Sequence, residues 1–432
     1  MMHFGQLRAL LEEGARANHV PGAQLAVYSG GQTRTFAFGE TEFRRGVGLT
    51  GEDRVPIGSI TKTFTATLAM VLVSDGDLEL DEPVSAYLPD LGRVSPDIAT
   101  RLTPRHLLSH TGGLTAECGG LTTGRSGWSR WLRGVEPPGA AFSYSNRGYA
   151  LVGQLIEAVT GTSWWAAMRQ ILLKPLGITP AFVVAPGAEP AKPAYATGHA
   201  VNRATHRIRP VAQALEPVEA PAGALALSAN DLVTLGRMLM GTDHDGLVES
   251  AELAEMRGPA ANAEPFGLAD GWGLGLARYR AGWLGHDGTA DGTSCHLRMH
   301  PETGTVVALT TNASTGNGLW HQLVAELDIG DFTAPAMTRH RVLPPRGCAG
   351  SYYNGDIEYT VTVRGDDVAL VVDDEPTARL VPHEGSIFSI IELNTGEYGR
   401  PGRFMRDSRG YIDRVQIGGR VARRQHRARE VA

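Results

Sequence analysis

Three short segments bring together residue types that do chemistry. Gly58-Ser59-Ile60-Thr61-Lys62 stands where a loop enters an apolar stretch, Tyr144-Ser145-Asn146 lies within PGAAFSYSNRGY, and Gly285-His286-Asp287-Gly288-Thr289 precedes a strand-like run. Positions three apart share one face of a helix, so the Ser59 hydroxyl and the Lys62 amine converge. A serine hydroxyl is a weak nucleophile until a neighbour takes its proton. Lys62 can do that only as a neutral amine, so its usual pKa of about 10.4 must fall to roughly 7, a bias on the order of 4 kcal/mol. Burial beside another cation or a polar hydroxyl would supply it. The start of a helix leaves amides unpaired, and that of Ser59 is placed to donate to a developing oxyanion. Taken alone, the same spacing is met by a capping serine and a surface lysine.

The other two segments extend this chemistry. Tyr144 and Asn146 are two apart, so an extended or turning segment aims both into one cleft. There the phenol can shuttle a proton between nucleophile and leaving group, and the Asn146 amide can hold a substrate carbonyl or fix Lys62. A packed tyrosine beside a turn asparagine fits the same residues. Around His286, Gly285 and Gly288 at a strand edge let substrate come close to the backbone, which makes Gly288 a candidate substrate-binding position. The Thr289 amide is the candidate second oxyanion donor, and His286 can bind a carbonyl or assist proton transfer. A β-bulge with a surface histidine is the competing reading.

Elements that would position these groups are legible in the periodicity. Met1 to His19 reads as an amphipathic helix, with Phe4, Leu7, Leu10 and Leu11 on one side and Arg8, Glu12 and Glu13 on the other. Pro21 to Phe38 alternates as two strands around Ser29-Gly30-Gly31, and Phe64, Leu68 and Leu72 give Ser59 to Ser74 helical spacing. Gly148 to Met168 is a further helical stretch. GWGLGLARYR, SCHLRMHP and TVVALTTNA within 271–313 read as adjacent antiparallel strands, so strands at both ends enclose helices around one mixed sheet. Three prolines in FTAPAMTRHRVLPP mark a break. Beyond it YTVTVRG, DVALVVDD, SIFSIIEL, GRFMRDSRG and YIDRVQIGG are short strands of a meander or barrel. The final RVARRQHRAR reads as a solvated terminus.

SITK, YSN and HDG, in this order, match the SxxK, YxN and HxG boxes of the penicillin-recognising serine hydrolases, a family of class C β-lactamases, D-aminopeptidases and esterases. LLSHTGGL at 107–114 resembles a further family segment, in which His110 reads as structural. His286 stands where a β-lactamase has the lysine of KTG, which weakens any expectation of β-lactam carboxylate binding. VPGAQLAVY, FSYSNRGYALVGQLIEA, EPFGLADGWGLGL, SYYNGDIEYTVT and IGGR narrow the likeness to penicillin-binding-protein-type thioesterases of nonribosomal peptide pathways.

The resemblance implies an α/β (α+β) fold: a β-lactamase/transpeptidase-like domain over 1–332, a linker over 333–345 and a lipocalin-like antiparallel β domain over 346–432. It implies Ser59 as nucleophile, Lys62 as base, Tyr144 and Asn146 continuing the proton network, His286 opposite them, and Arg420 of IGGR handling bound peptide. The implied reaction takes a linear peptide from a peptidyl carrier protein thioester onto Ser59 and releases it by head-to-tail macrolactamisation, with a D-residue at the carboxyl end of the acyl donor. Hydrolysis of small esters or D-amino-acid peptides by the same residues, or an idle peptide-binding pocket, are the alternatives.

Composition sets outer limits. The 432 residues exceed one typical domain, and 42% hydrophobic with 20% charged residues suffices for a buried core. A net charge of −6 leaves no basic footprint for nucleic acid. Cys118, Cys295 and Cys348 are too few and too scattered for a disulfide framework or a metal pair, and read as reduced structural thiols. Without an HExxH motif or a phosphate-binding glycine loop, neither metal nor nucleotide cofactor is expected. With no signal-peptide pattern and no long apolar run, no membrane association and a cytoplasmic address are expected.

Overall fold

The computed structural model describes residues 4–118, 132, 134, 136–184, 194–242, 246–332, 342–393 and 399–424. Alternating residues at both ends of the first 330 build one seven-stranded sheet from β1 (Gly22–Ser29), β2 (Gln32–Gly39), β3 (Gly271–Trp272), β4 (Ala277–Arg278), β5 (Leu284–Ala290), β6 (Thr293–His300) and β7 (Thr305–Thr311). Its spatial order is β2-β1-β7-β6-β5-β4-β3. Every pairing is antiparallel, so the expected mixed sheet is corrected: each neighbour follows by a short turn, and β1 closes directly onto β7. A further correction concerns the strand run around His286. β5 separates GWGLGLARYR from SCHLRMHP, and its glycines hide it from β-propensity.

The period of two sorts the sheet's side chains into two cores. Leu25, Val307 and Leu309 point to one face, where they meet Leu7 and Leu11 of α1 (Phe4–Ala17) and Leu319, Trp320 and Leu323 near the end of this domain. Ala26, Val306, Ala308 and Leu297 point to the other face, toward α2 (Thr61–Ser74) and α3 (Asn146–Thr160). Every residue of α2 from Thr61 to Leu72 is buried, so this helix is the spine of the larger core and its first turn opens on the site. No described helix is long and apolar enough to cross a membrane.

The carboxyl-terminal strands close a barrel of eight: β8 (Gly350–Asn354), β9 (Ile357–Arg364), β10 (Asp367–Val372), β11 (Glu375–Pro382), β12 (Ile387–Glu392), β13 (Gly402–Arg406), β14 (Ile412–Ile417) and β15 (Arg420–Arg424). Tyr352, Val361, Leu370, Leu380, Phe388, Phe404 and Val415 fill it from alternate positions. Three of its strands, SYYN, EPTARLVP and RVARR, escaped the periodicity. The last is a correction: RVARR is no loose terminus, because Tyr352 and Tyr353 of β8 pair with Arg424 and Arg423 and so close the cylinder. Residues 333–341 of the expected linker and 425–432 lie outside the described residues.

The barrel is bonded to loops that lead into α3. The Tyr144 amide donates to the Gly419 carbonyl at 3.0 Å, the Val421 amide to Ser143 Oγ at 3.2 Å, and the Ala116 amide to Asn354 Oδ1 at 2.7 Å. Glu136, 3% exposed, receives Arg423 at 2.6 Å and Arg414 at 3.2 Å. Glu136→Gln keeps the shape but removes the charge facing two guanidinium groups, so it lowers unfolding free energy by about 1–3 kcal/mol in a denaturant titration; an unchanged midpoint contradicts that role.

Candidate active site

A single tight turn, Gly58–Ile60, feeds α2. Gly58 has φ +51°, and a Cβ there would sit 2.1 Å from the Thr289 carbonyl oxygen. Only glycine lets this turn lie against β5, which sets Ser59 beside Thr289. Both line a cavity of about 330 Å³, together with Asn146, Glu219 and Ala222. β5 pairs with β4 through Leu284 and Gly285, and from His286 onward this edge has no strand partner among the described residues.

Lys62 lies one turn beyond Ser59 and is wholly buried. Its Nζ is 3.0 Å from Ser59 Oγ and 2.9 Å from the Ala222 carbonyl oxygen. Burial, then the positive charge of Arg420, pushes its pKa down to about 7. In the neutral amine one N–H can stay on the Ala222 oxygen, leaving the lone pair for the serine proton. Tyr144 shares a hydrogen bond with Ser59, and its ring centre lies 5.0 Å from Lys62 Nζ. Burial raises the phenol well above its usual pKa, and the bond to Ser59 only tempers this, so Tyr144 works as a neutral donor rather than a phenolate.

His286 is buried, and its pKa is pushed down to about 4 by burial first and by Lys62 second. Its Nδ1 lies 2.6 Å from the Asp287 carbonyl oxygen and donates to it. That leaves Nε2, buried without a partner among the described residues, as a lone-pair acceptor beside Tyr144, with ring centres 6.2 Å apart. A neutral imidazole there can accept a hydrogen bond without placing a positive charge next to Lys62.

Asn146, the first residue of α3, donates from Nδ2 to Glu117 at 3.2 Å and does not fix Lys62. The Ala222 carbonyl does that, a backbone contribution that no residue-type pattern announces. Glu117 also receives Arg420 of β15 at 3.1 Å, whose guanidinium lies 5.8 Å from the centre of the Tyr144 ring. A polar chain therefore runs from the barrel through Glu117 to Asn146. Glu219, raised in pKa by burial, lines the cavity and was equally silent in the sequence. Gly288 is placed differently from expectation: a Cβ there would meet the Ile57 carbonyl oxygen at 2.0 Å, so its bareness lets β5 pack on the chain leading to Ser59. His110 supports the Tyr144 segment, taking the Ser145 amide on Nδ1 at 3.1 Å and stacking its ring 4.3 Å from that of Tyr144.

The protein family described as Beta-lactamase matches residues 7–325. Penicillin-binding protein 4 of Amycolatopsis lactamdurans is 34% identical over 341 residues, 74% of this chain and 88% of that protein. Unguisins hydrolase ungD' of Aspergillus campestris is 25% identical, over 72% of this chain and 63% of its own. Among solved structures SurE superposes with a TM-score of 0.84 at 38% identity, covering 98% of this chain and 99% of that one, and SurE with D-Leu gives 0.83 at the same identity.

With Lys62 titrating near 7, the rate of Ser59 phosphonylation by an alkyl fluorophosphonate rises with pH through a midpoint near 7 and levels off above it. Lys62→Ala abolishes labelling. Arg420→Gln removes a neighbouring cation, so the ammonium form of Lys62 is favoured and the acid limb moves to higher pH. A limb that stays in place or moves to lower pH contradicts the electrostatic role of Arg420.

Proposed function

Because this chain belongs to the beta-lactamase family of serine hydrolases and acyltransferases, we propose that it releases a linear peptide from a carrier-protein thioester by head-to-tail macrolactamisation, in the cytoplasm. Ser59 Oγ attacks the thioester carbonyl as Lys62 Nζ takes its proton, and the Ser59 and Thr289 amides hold the oxyanion. The C–S bond breaks, and the departing thiolate takes a proton through Tyr144. The peptide's own amine then attacks the Ser59 ester, its proton passing to the Lys62–Tyr144 pair, and the C–O bond breaks to return the serine hydroxyl. Asn146 and the open edge of β5 would align the bound chain, with Arg420 holding its polar groups at the barrel side.

The observation that carries this reading is the barrel's part in the site. Arg420 and the Gly419 carbonyl engage Glu117 and Tyr144, and the likeness to SurE runs through the whole chain, whereas that to penicillin-binding protein 4 covers 74% of it. SurE with D-Leu supports a D-residue at the carboxyl end of the acyl donor. Choosing an amine over water requires a walled cleft, since water stands at about 55 M while a folded-back amine reaches effective molarities of roughly 10⁵ M or more. In this reading the barrel, whose Arg420 and Gly419 reach Glu117 and Tyr144, would form one wall of that cleft.

Hydrolysis of peptides by the same residues is the second reading, favoured by the name of the Aspergillus relative. Mass spectrometry of products from a linear peptidyl thioester ending in a D-residue separates the two. The cyclic product, absent with Ser59→Ala, is expected; free acid alone identifies a hydrolase. Tyr144→Phe removes the relay and slows both half-reactions by about 10²-fold or more.

A further inference from the structure

The Asp287 carboxylate takes no part in the chemistry above, yet it stands in β5 between His286 and Thr289. Its Oδ1 accepts from His296 Nδ1 at 2.8 Å and from Arg298 at 2.7 Å, both on β6, and its Oδ2 accepts from Arg400 at 2.8 Å. Burial pushes the carboxyl up, but Arg298 first, then His296 and Arg400, outweigh it and hold Asp287 well below the usual carboxylate range. Arg298 is fully buried, its guanidinium 3.7 Å from the centre of the Tyr279 ring and 3.3 Å from Asp331.

Arg400 comes from the other unit, in the segment entering β13. A second guanidinium nitrogen donates to the Leu268 carbonyl at 2.9 Å, and the neighbouring Pro401 carbonyl lies 2.4 Å from where a Cβ on Gly267 would be. One guanidinium therefore ties the barrel, the 265–268 loop and β5 together.

We infer that Arg400 is a positioning residue for acyl transfer: through Asp287 it sets, from the barrel, the part of β5 that carries the His286 ring and the Thr289 amide. The Asp287 carbonyl holds His286 Nδ1 at 2.6 Å, and the Thr289 amide follows two residues later on the same strand. A shift of the Asp287 backbone therefore bears on both groups and on how Thr289 meets the Gly58–Ile60 turn that carries Ser59. The tie contributes geometry rather than stability. Arg298 and His296 already face the carboxylate, and Asp287 and Arg400 are 21% and 39% exposed, a setting in which an ion pair adds little to folding. Two directed bonds from one planar fork nevertheless fix orientation.

The test uses the full chain and the phosphonylation of Ser59, in which the Oγ–P bond forms, the P–F bond breaks and fluoride leaves. Asp287→Asn would strip buried Arg298 of its counter-charge and endanger folding, so the variants are Arg400→Met and Arg400→Lys. Arg400→Met is expected to lower the maximal labelling rate about tenfold with the half-saturating probe concentration and the thermal midpoint unchanged, and Arg400→Lys to recover most of the rate. Labelling by Arg400→Met at the wild-type rate overturns the inference. So does a loss confined to half-saturation, a slowing that merely tracks a lower thermal midpoint, or failure of the lysine to rescue. Because the readout is acylation, this outcome is independent of whether the later product is cyclic.

Discussion

The contact between Lys62 Nζ and Ser59 Oγ, 3.0 Å long with the amine wholly buried, is what the rest of the structure serves. A lysine in solvent is protonated and useless as a base, so the fold must surround it without offering it an acid. It does so by burying α2 on all sides, by giving the amine a neutral carbonyl from Ala222, and by leaving Arg420 rather than a carboxylate as the largest charge effect on it. Desolvation is the larger cause, and the arginine adds to it. Burial acts on Tyr144 in the opposite sense, keeping the phenol protonated, so the base and the donor beside Ser59 are set by one property of the cavity.

This arrangement makes the barrel more than an appendage. Its turn at Gly419 accepts the amide of Tyr144, Arg420 reaches Glu117 and the face of Tyr144, and Arg400 reaches β5. The Tyr144 and Glu117 segments and strand β5 thus all touch the second unit. The macrolactamisation we propose would need a wall that is part of the site's electrostatics, and the two arginines the barrel delivers are what supports assigning that part to it.

Much of this is legible in the sequence. SxxK at a loop-to-helix junction specified the Ser59–Lys62 approach, because helical spacing alone brings the two together. YSN and HDG supplied residue types whose burial then decides their protonation. Other features were hidden because they reside in backbone or in distance along the chain. Ala222 acts through a carbonyl, and Glu117 gains meaning only from Arg420, some three hundred residues away. β5 carries too many glycines to look like a strand, and Gly288 proved to serve packing on Ile57. RVARR reads as a charged tail, yet Arg423 and Arg424 pair with β8 and complete a cylinder.

The state of the Lys62 amine can be observed directly. The chain has three lysines, Lys62, Lys174 and Lys192, so protein labelled with ¹³C at the lysine ε-carbon gives few enough signals for Lys62 to be assigned by its loss in Lys62→Ala. Titrated by NMR, that signal should change with a midpoint near 7, well below the roughly 10.4 of a lysine in water. A Lys62 midpoint near 10.4 would mean a protonated amine beside Ser59 at neutral pH, and the serine would lack its base.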